Sequence, residues 1–190
     1  MASLFTHAFV GAALGQAENR DRQKDWRFWC AVIACSVLPD VDSIGFRMGV
    51  PYGALWGHRG MTHSLLFAFI VATFAAMWLD GRFHRQWQLV ILFFLIMASH
   101  GVLDAMTNGG LGVAFFSPFD TRRYFFPWRP ILVSPIGLGG FFTTRGLRIM
   151  ANEIFWIWCP TIIVLALVKL ARSRKNAYQP GANSLSNDQD

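Results

Sequence analysis

The stretch WQLVILFFLIMASHGVLD, residues 87–104, holds no formal charge before its last residue apart from what His100 can carry. An apolar run of this length reads as a membrane helix. The chain around it agrees: of 190 residues, 54% are hydrophobic and 15% charged, which is hard to reconcile with an ordinary soluble surface. Working outward, two further runs are clear spanning candidates. Ser64 to Leu79 is apolar throughout and ends at Asp80-Gly81-Arg82. Ile154 to Val168 contains Pro160, which a membrane helix tolerates where neighbours satisfy the freed carbonyl. All three fall short of the roughly 20 residues that cross a bilayer comfortably, so flanking residues contribute or the bilayer thins locally. Leu4 to Ala17 and Phe28 to Leu38 are shorter still, and each is either a spanning helix or one embedded part-way.

The expected fold is therefore all-α, an integral membrane helical bundle of about four to five apolar helices. It occupies residues 1–170, followed by a polar, disordered tail over residues 171–190. The opening residues make a poor signal peptide, because no basic region precedes the apolar run and His7 interrupts it. Cys30, Cys35 and Cys159 sit within apolar stretches without the paired spacing of a zinc ribbon or disulfide framework, and read as small buried hydrophobes. The formal charge of +6 comes in short groups flanking apolar segments. That pattern points away from nucleic acid and toward anionic lipid head groups.

If all five segments cross, the Lys and Arg of residues 20–27, 82–85 and 169–175 share one side in short loops and a tail. The positive-inside rule makes that side cytoplasmic. The histidines and aspartates gather on the other, periplasmic side: His7 near the outer end of the first segment, Asp40 and Asp42 just beyond the second, His58 and His63 before the third. His100 and Asp104 lie four apart near the outer end of the fourth, on one helical face. Singly, each has a plain structural reading, such as a capped turn or a hydrogen-bonded interfacial histidine. Jointly, ionisable groups at membrane depth are costly enough to mark a shared site. His84, in the short loop between Arg82 and Arg85 on the opposite face, serves as the negative control.

Mixed imidazole and carboxylate ligands suit a divalent cation, Zn²⁺ foremost, with Mn²⁺ or Fe²⁺ as alternatives. An ion short of its full protein ligand set keeps a position for water and lowers its pKa, while nearby arginines steady a developing phosphate charge. Arg59, Arg122 and Arg123 are the candidates for that last role. No His-Glu-x-x-His helix, Gly-x-Ser-x-Gly elbow or Walker loop is present.

The motifs Thr6-His7, Leu38-Pro39-Asp40-Val41-Asp42, His58-Arg59-Gly60-Met61-Thr62-His63-Ser64 and Ser99-His100-Gly101-Val102-Leu103-Asp104, with Ser117 to Trp128 after them, resemble the bacterial inner-membrane metal-dependent hydrolases of the LexA-regulated type. The resemblance spans roughly residues 1 to 170 and implies metal binding and hydrolysis at the membrane. The order His, Asp, His, then His-x-x-x-Asp is also distantly similar to the zinc-dependent phospholipase C and P1-type nuclease group. Carried over, that similarity implies that Asp40, one of His58 or His63, His100 and Asp104 hold one metal, with Asp104 bridging to a second near His7. A later His-x-x-x-Asp pair for a third metal is lacking. The expected metal ligands are thus His7, Asp40, His58, His63, His100 and Asp104, with Arg59 and Arg123 as catalytic partners.

The long stretch from Thr107 to Glu153, rich in aromatics and arginines, reads as a cover facing the substrate. The expected function is hydrolysis of a phosphoester in a lipid or lipid-linked molecule by a metal-activated water. The alternative is a non-catalytic metal-binding membrane sensor or assembly factor. Substrate and oligomeric state are not legible in the residues.

Overall fold

In the computed structural model, residues 1–18, 20–79, 86–135 and 142–177 are described. The expectation for His84 and that for the tail beyond Ala177 fall outside these residues. Helix α1 (Leu4–Gly15) starts at Ser3, whose hydroxyl accepts the Thr6 N–H, and a short α2 (Arg20–Gln23) leads to α3 (Trp26–Val37), capped by Asp25. A 3-10 helix continues α3 over Leu38–Met48 and closes at Gly49. After an irregular loop and a single 3-10 turn, Met61–His63, come α4 (Leu65–Leu79) and α5 (Trp87–Ala105). The last arm comprises α6 (Thr144–Glu153), a π-helical turn (Ile154–Trp158) and α7 (Cys159–Ala177). Helix α7 thus continues past residue 170, where the tail was expected to begin.

Two prolines explain the irregular helical segments. Pro39 cannot donate an N–H, so the α pattern of α3 stops just before it and the tighter 3-10 winding takes over. In that winding residues three apart eclipse. Val41 and Ile44 accordingly share an outward, lipid-facing column, at 51% and 55% exposure, while Asp40 turns inward and is buried. Pro160 similarly withholds a donor from the Trp156 carbonyl one turn back, and the helix widens to π just ahead of it.

Helices α1, α3, α4 and α5 pack around Phe28, Val32, Leu89, Phe93 and Ile96. Ala68, Ala72 and Ala76 form a small-residue stripe at helical spacing along α4, letting its backbone approach α5, its main partner. Where α1 meets α3, a Cβ on Gly11 would lie 1.8 Å from the Ser36 hydroxyl oxygen, so only glycine fits. The outer faces are apolar as well, with Phe69, Phe74, Trp78, Ile91 and Leu95 exposed, as expected of a surface solvated by lipid.

Among the described residues, three helical stretches are long and apolar enough to cross a membrane: Trp26–Met48, Trp87–Ala105 and Thr144–Arg174. Helices α1 and α4 are apolar but shorter. At 1.5 Å per residue α1 extends about 18 Å, against a hydrocarbon core of about 30 Å. The molecule is an all-α membrane bundle. Its antiparallel order brings the N-terminal ends of α1 and α4 beside the C-terminal ends of α3 and α5, and the residues after α5 fold across that end. Phe126 donates to the Ala105 carbonyl, Leu65 to that of Phe115 and Ala114 to that of Arg59.

Candidate metal centre

Asp104 is the hub. It sits in the last turn of α5 with no exposed surface. Its Oδ1 accepts the Ala2 N–H at 2.8 Å and its Oδ2 accepts the Arg59 Nε–H at 2.9 Å. His7 Nε2 lies 3.4 Å from Oδ1, and His63 Nε2 lies 3.6 Å from Oδ2. Opposite stands Asp40, whose Oδ1 is 3.4 Å from His100 Nε2 and 3.8 Å from His63 Nε2. One donor atom from each of Asp40, His63, His100 and Asp104 falls within 4.8 Å of all the others. The His7 ring stacks on that of His100, centroids 3.6 Å apart and 11° from parallel.

These groups come from four separate pieces of chain, and the local fold orients them. His100 Nδ1 is 2.7 Å from the Ser36 carbonyl and must be the donor there, so its Nε2 presents a lone pair to Asp40. That carbonyl is available because Pro39 has no N–H to give it in the 3-10 winding. His63 Nδ1 is 3.2 Å from Asp42 Oδ2, which again turns Nε2 toward the cluster. Asp42 also accepts from His58 Nδ1 at 2.7 Å, the Thr62 hydroxyl at 2.5 Å and the Arg59 backbone N–H at 3.1 Å.

Both oxygens of Asp40, both ring nitrogens of His7 and the Nε2 atoms of His63 and His100 are buried without a hydrogen-bond partner. So many unpartnered polar atoms facing one another would be expensive unless a further group joins them. Beside the buried carboxylates of Asp40 and Asp104 stand the Arg59 guanidinium and the Met1 amino group, the latter 4.0 Å from Asp104 Oδ1. Imidazole nitrogens and carboxylate oxygens together fit a divalent first-row cation. A proton competes for the same place. Burial pushes the His63 ring toward neutrality, but its nearness to the Asp104 and Asp42 carboxylates outweighs burial and raises its pKa to about 9.

The structure therefore gathers His7, Asp40, His63, His100 and Asp104 at one point. It sets His58 one carboxylate away, in a separate grouping with Asp42 and His63. The arginines are engaged elsewhere than on an open anion site. Arg59 is fully buried in a left-handed backbone conformation, φ 63°. Its guanidinium is committed to Asp104, to the Gly109 carbonyl at 2.9 Å and to the Thr107 hydroxyl at 2.9 Å. Arg123 donates to the carbonyls of His58, Tyr52 and Ala54 and lies over the Tyr52 ring, holding the loop before His58 in place. Arg122 is exposed and paired with Asp120 at 2.8 Å. Arg59 is thus placed to hold a ligand, whereas the anion-steadying role expected for it needs a free fork.

Two contributors escape sequence reasoning, and a third, Asp42, was placed beside the site there without a role. Asp42 orients two histidines, the Ser36 carbonyl fixes a tautomer, and Glu153 holds the start of α1. Asp42 was visible as the second acid of Asp-x-Asp. Glu153, a carboxylate directly before an apolar run, was visible as an intramembrane ionisable group. A backbone carbonyl leaves no signature at all.

Fold and site together define a helical membrane protein with a buried cluster of histidine and aspartate suited to a cation. The chain belongs to the YdjM inner membrane protein family, whose sequence profile matches residues 1–177. It is 34% identical over 172 residues to the inner membrane protein YbcI of Escherichia coli (strain K12), covering 88% of this chain and 97% of that protein. No solved structure matches the chain. These relationships agree with the inner-membrane half of the resemblance seen in the motifs. Neither name speaks of a metal or of hydrolysis.

Proposed function

We propose that this inner-membrane protein is a metal-dependent hydrolase acting on a phosphoester of a lipid or lipid-linked molecule. The observation that carries the reading is the convergence of buried, unpartnered donor atoms from His7, Asp40, His63 and His100 beside the Asp104 carboxylate, with the His63 and His100 rings pre-turned by partners on Nδ1. These residues would hold the cation, Zn²⁺ first and Mn²⁺ or Fe²⁺ next. Bound there, such an ion lowers the pKa of a coordinated water and polarises the bond under attack.

The protein's own residues do the rest. Asp42 and Ser36 keep His63 and His100 in the ligating tautomer. Arg59 keeps Asp104 aimed, its charge offsetting part of the buried negative charge. Arg123, by fixing the loop from Tyr52 to His58, sets the height of the histidine-bearing segment. A position at one end of the bundle, level with the exposed aromatics Phe116, Phe119, Phe126 and Trp128, favours a substrate anchored in the bilayer. The positive-inside pattern supports a periplasmic position for that end, and basic residues grouped beside apolar segments favour lipid over nucleic acid as the partner.

A second reading, a non-catalytic metal-binding sensor or assembly factor, draws on the depth of the cluster: none of its five side chains exceeds 6% exposure. Elemental analysis of detergent-purified protein, wild type beside Asp104→Ala, tests what both readings share. Turnover over a panel of phospholipids and phosphodiesters with added Zn²⁺ or Mn²⁺ separates them. Stoichiometric metal with no turnover across the panel would favour the sensor.

A further inference from the structure

Glu153 is buried with no exposed surface at the end of α6, directly before the π-helical turn of the last arm, and nothing in the proposed chemistry uses it. Its Oε1 accepts the Ser3 backbone N–H at 2.6 Å. Its Oε2 accepts the hydroxyls of Ser3 and of Thr6, the latter at 2.6 Å. The Thr6 hydroxyl is in turn bonded by the Trp158 indole N–H at 2.8 Å. One arm thus grips the first turn of α1 through a carboxylate and an indole.

What hangs from that grip is half of the metal centre. The residue before Ser3 is Ala2, whose N–H is the bond to Asp104 Oδ1. The residue after Thr6 is His7, whose own N–H is bonded to the Ser3 carbonyl at 3.1 Å. A small rotation or slide of α1 would therefore move a candidate ligand and remove a hydrogen bond from the hub carboxylate together.

Docking two helices does not need an acid. Ionisable groups inside a membrane are expensive, and well-packed apolar residues dock helices at least as well. The last arm is otherwise lightly attached: over its most apolar window only 6% of residues are buried. A carboxylate that takes one N–H and two hydroxyls from the same helix end sets the rotation and height of that end, which apolar packing does not.

We propose that Glu153 is a positioning residue of the metal centre, acting through Ser3 and Thr6 on His7 and on the Ala2 to Asp104 hydrogen bond. The inference rests on the metal-binding reading above. Outer-shell partners of this kind are worth about 10–100-fold in metal affinity.

The test is equilibrium Zn²⁺ binding to the full-length protein in detergent, with the visible spectrum of the Co²⁺-loaded protein as a geometric readout and thermal unfolding as the measure of stability. Glu153→Ala should bind Zn²⁺ roughly 10–100-fold more weakly and shift the Co²⁺ bands. Glu153→Gln keeps an acceptor for the Ser3 N–H and should recover most of the loss. Ile149→Ala, one turn earlier on the same buried face of α6, should lower stability while leaving affinity and spectrum alone.

Should Glu153→Ala not fold, the double variant Ser3→Ala with Thr6→Ala removes the two hydroxyl donors instead and should weaken binding in the same direction. Unchanged affinity in every folded variant of this chain of contacts, or an equal loss in Ile149→Ala, would overturn the inference while leaving the metal site standing. A wild-type protein that binds no Zn²⁺ or Co²⁺ would overturn both.

Discussion

The two ends of the bundle solve opposite problems with the same four helices. At the end where α3 begins and α4 finishes, contact is made by Phe28, Phe93, Leu89 and Ala76, with Arg27 laid over the Trp78 ring and bonded to its carbonyl. Among the described residues there, the buried side chains are chiefly apolar. At the other end the same helices bury His7, His63, His100 and Asp40, whose donor atoms face one another unpaired. Packing in lipid gains little from hiding apolar surface, so the first end relies on small residues and close fit. The second accepts an electrostatic cost that only a cation or a proton relieves. The contrast marks where stability is kept and where function is placed.

Asp104→Ala should have the largest effect, because it acts on both. Removing the hub leaves Arg59 as an unpaired buried charge, a loss of about 3–5 kcal/mol. Bound metal should fall to background in elemental analysis, alongside a lowered thermal midpoint. A variant that keeps its metal would erase the distinction between the two ends.

Phe93→Ala tests the apolar end alone. Opening a cavity in that core should cost roughly 3–5 kcal/mol in denaturant unfolding, with metal stoichiometry in the folded fraction unchanged. Loss of metal here would mean the ends are not separable.

His58→Ala sharpens the picture within the site. Its ring reaches the cluster through Asp42 and an edge contact with the His63 ring, centroids 5.6 Å apart, and it offers no atom to the Asp40, His63, His100 and Asp104 grouping, so the cation should bind about 10–100-fold more weakly yet still reach full occupancy. His63→Ala, which removes a direct donor, should fail to reach it. Equal losses would make both histidines ligands.

The smallest effect concerns pH. The His63 pKa is raised in the folded protein, so its proton stabilises the cation-free fold below the unfolded value and that contribution disappears as pH climbs through about 9. Metal must displace this proton. Affinity should therefore rise by up to tenfold per unit from neutral pH and level off above about 9, as measured by buffered Zn²⁺ titration. A flat profile would show that the His63 proton is not what the metal displaces.

Much of this was legible from residue types alone. Uninterrupted apolar runs report a membrane helix because lipid cannot satisfy backbone or charge, so residues 87–104 and 154–168 announced themselves, whereas 64–79 folds as a shorter apolar helix and the run 28–38 lies within a longer stretch, Trp26–Met48. The candidate donors announced themselves for the converse reason, as ionisable groups beside such runs. Their spacing could not choose between His58 and His63. That choice depends on Asp42 sitting between them, and Asp42 is brought there by a 3-10 helix that Pro39 starts.

Composition and pattern by themselves determined the solvent, a bundle of about four to five apolar helices and the end where histidine and aspartate collect, because each follows from transfer energies set residue by residue. Only the tertiary structure decided which nitrogen of each ring faces inward, that Arg59 holds an aspartate, and that a glutamate in the last arm grips the first helix. Those outcomes depend on hydrogen bonds between groups far apart in sequence, such as Glu153 with Ser3 and Arg59 with Asp104. Their energies exist only once the helices have met.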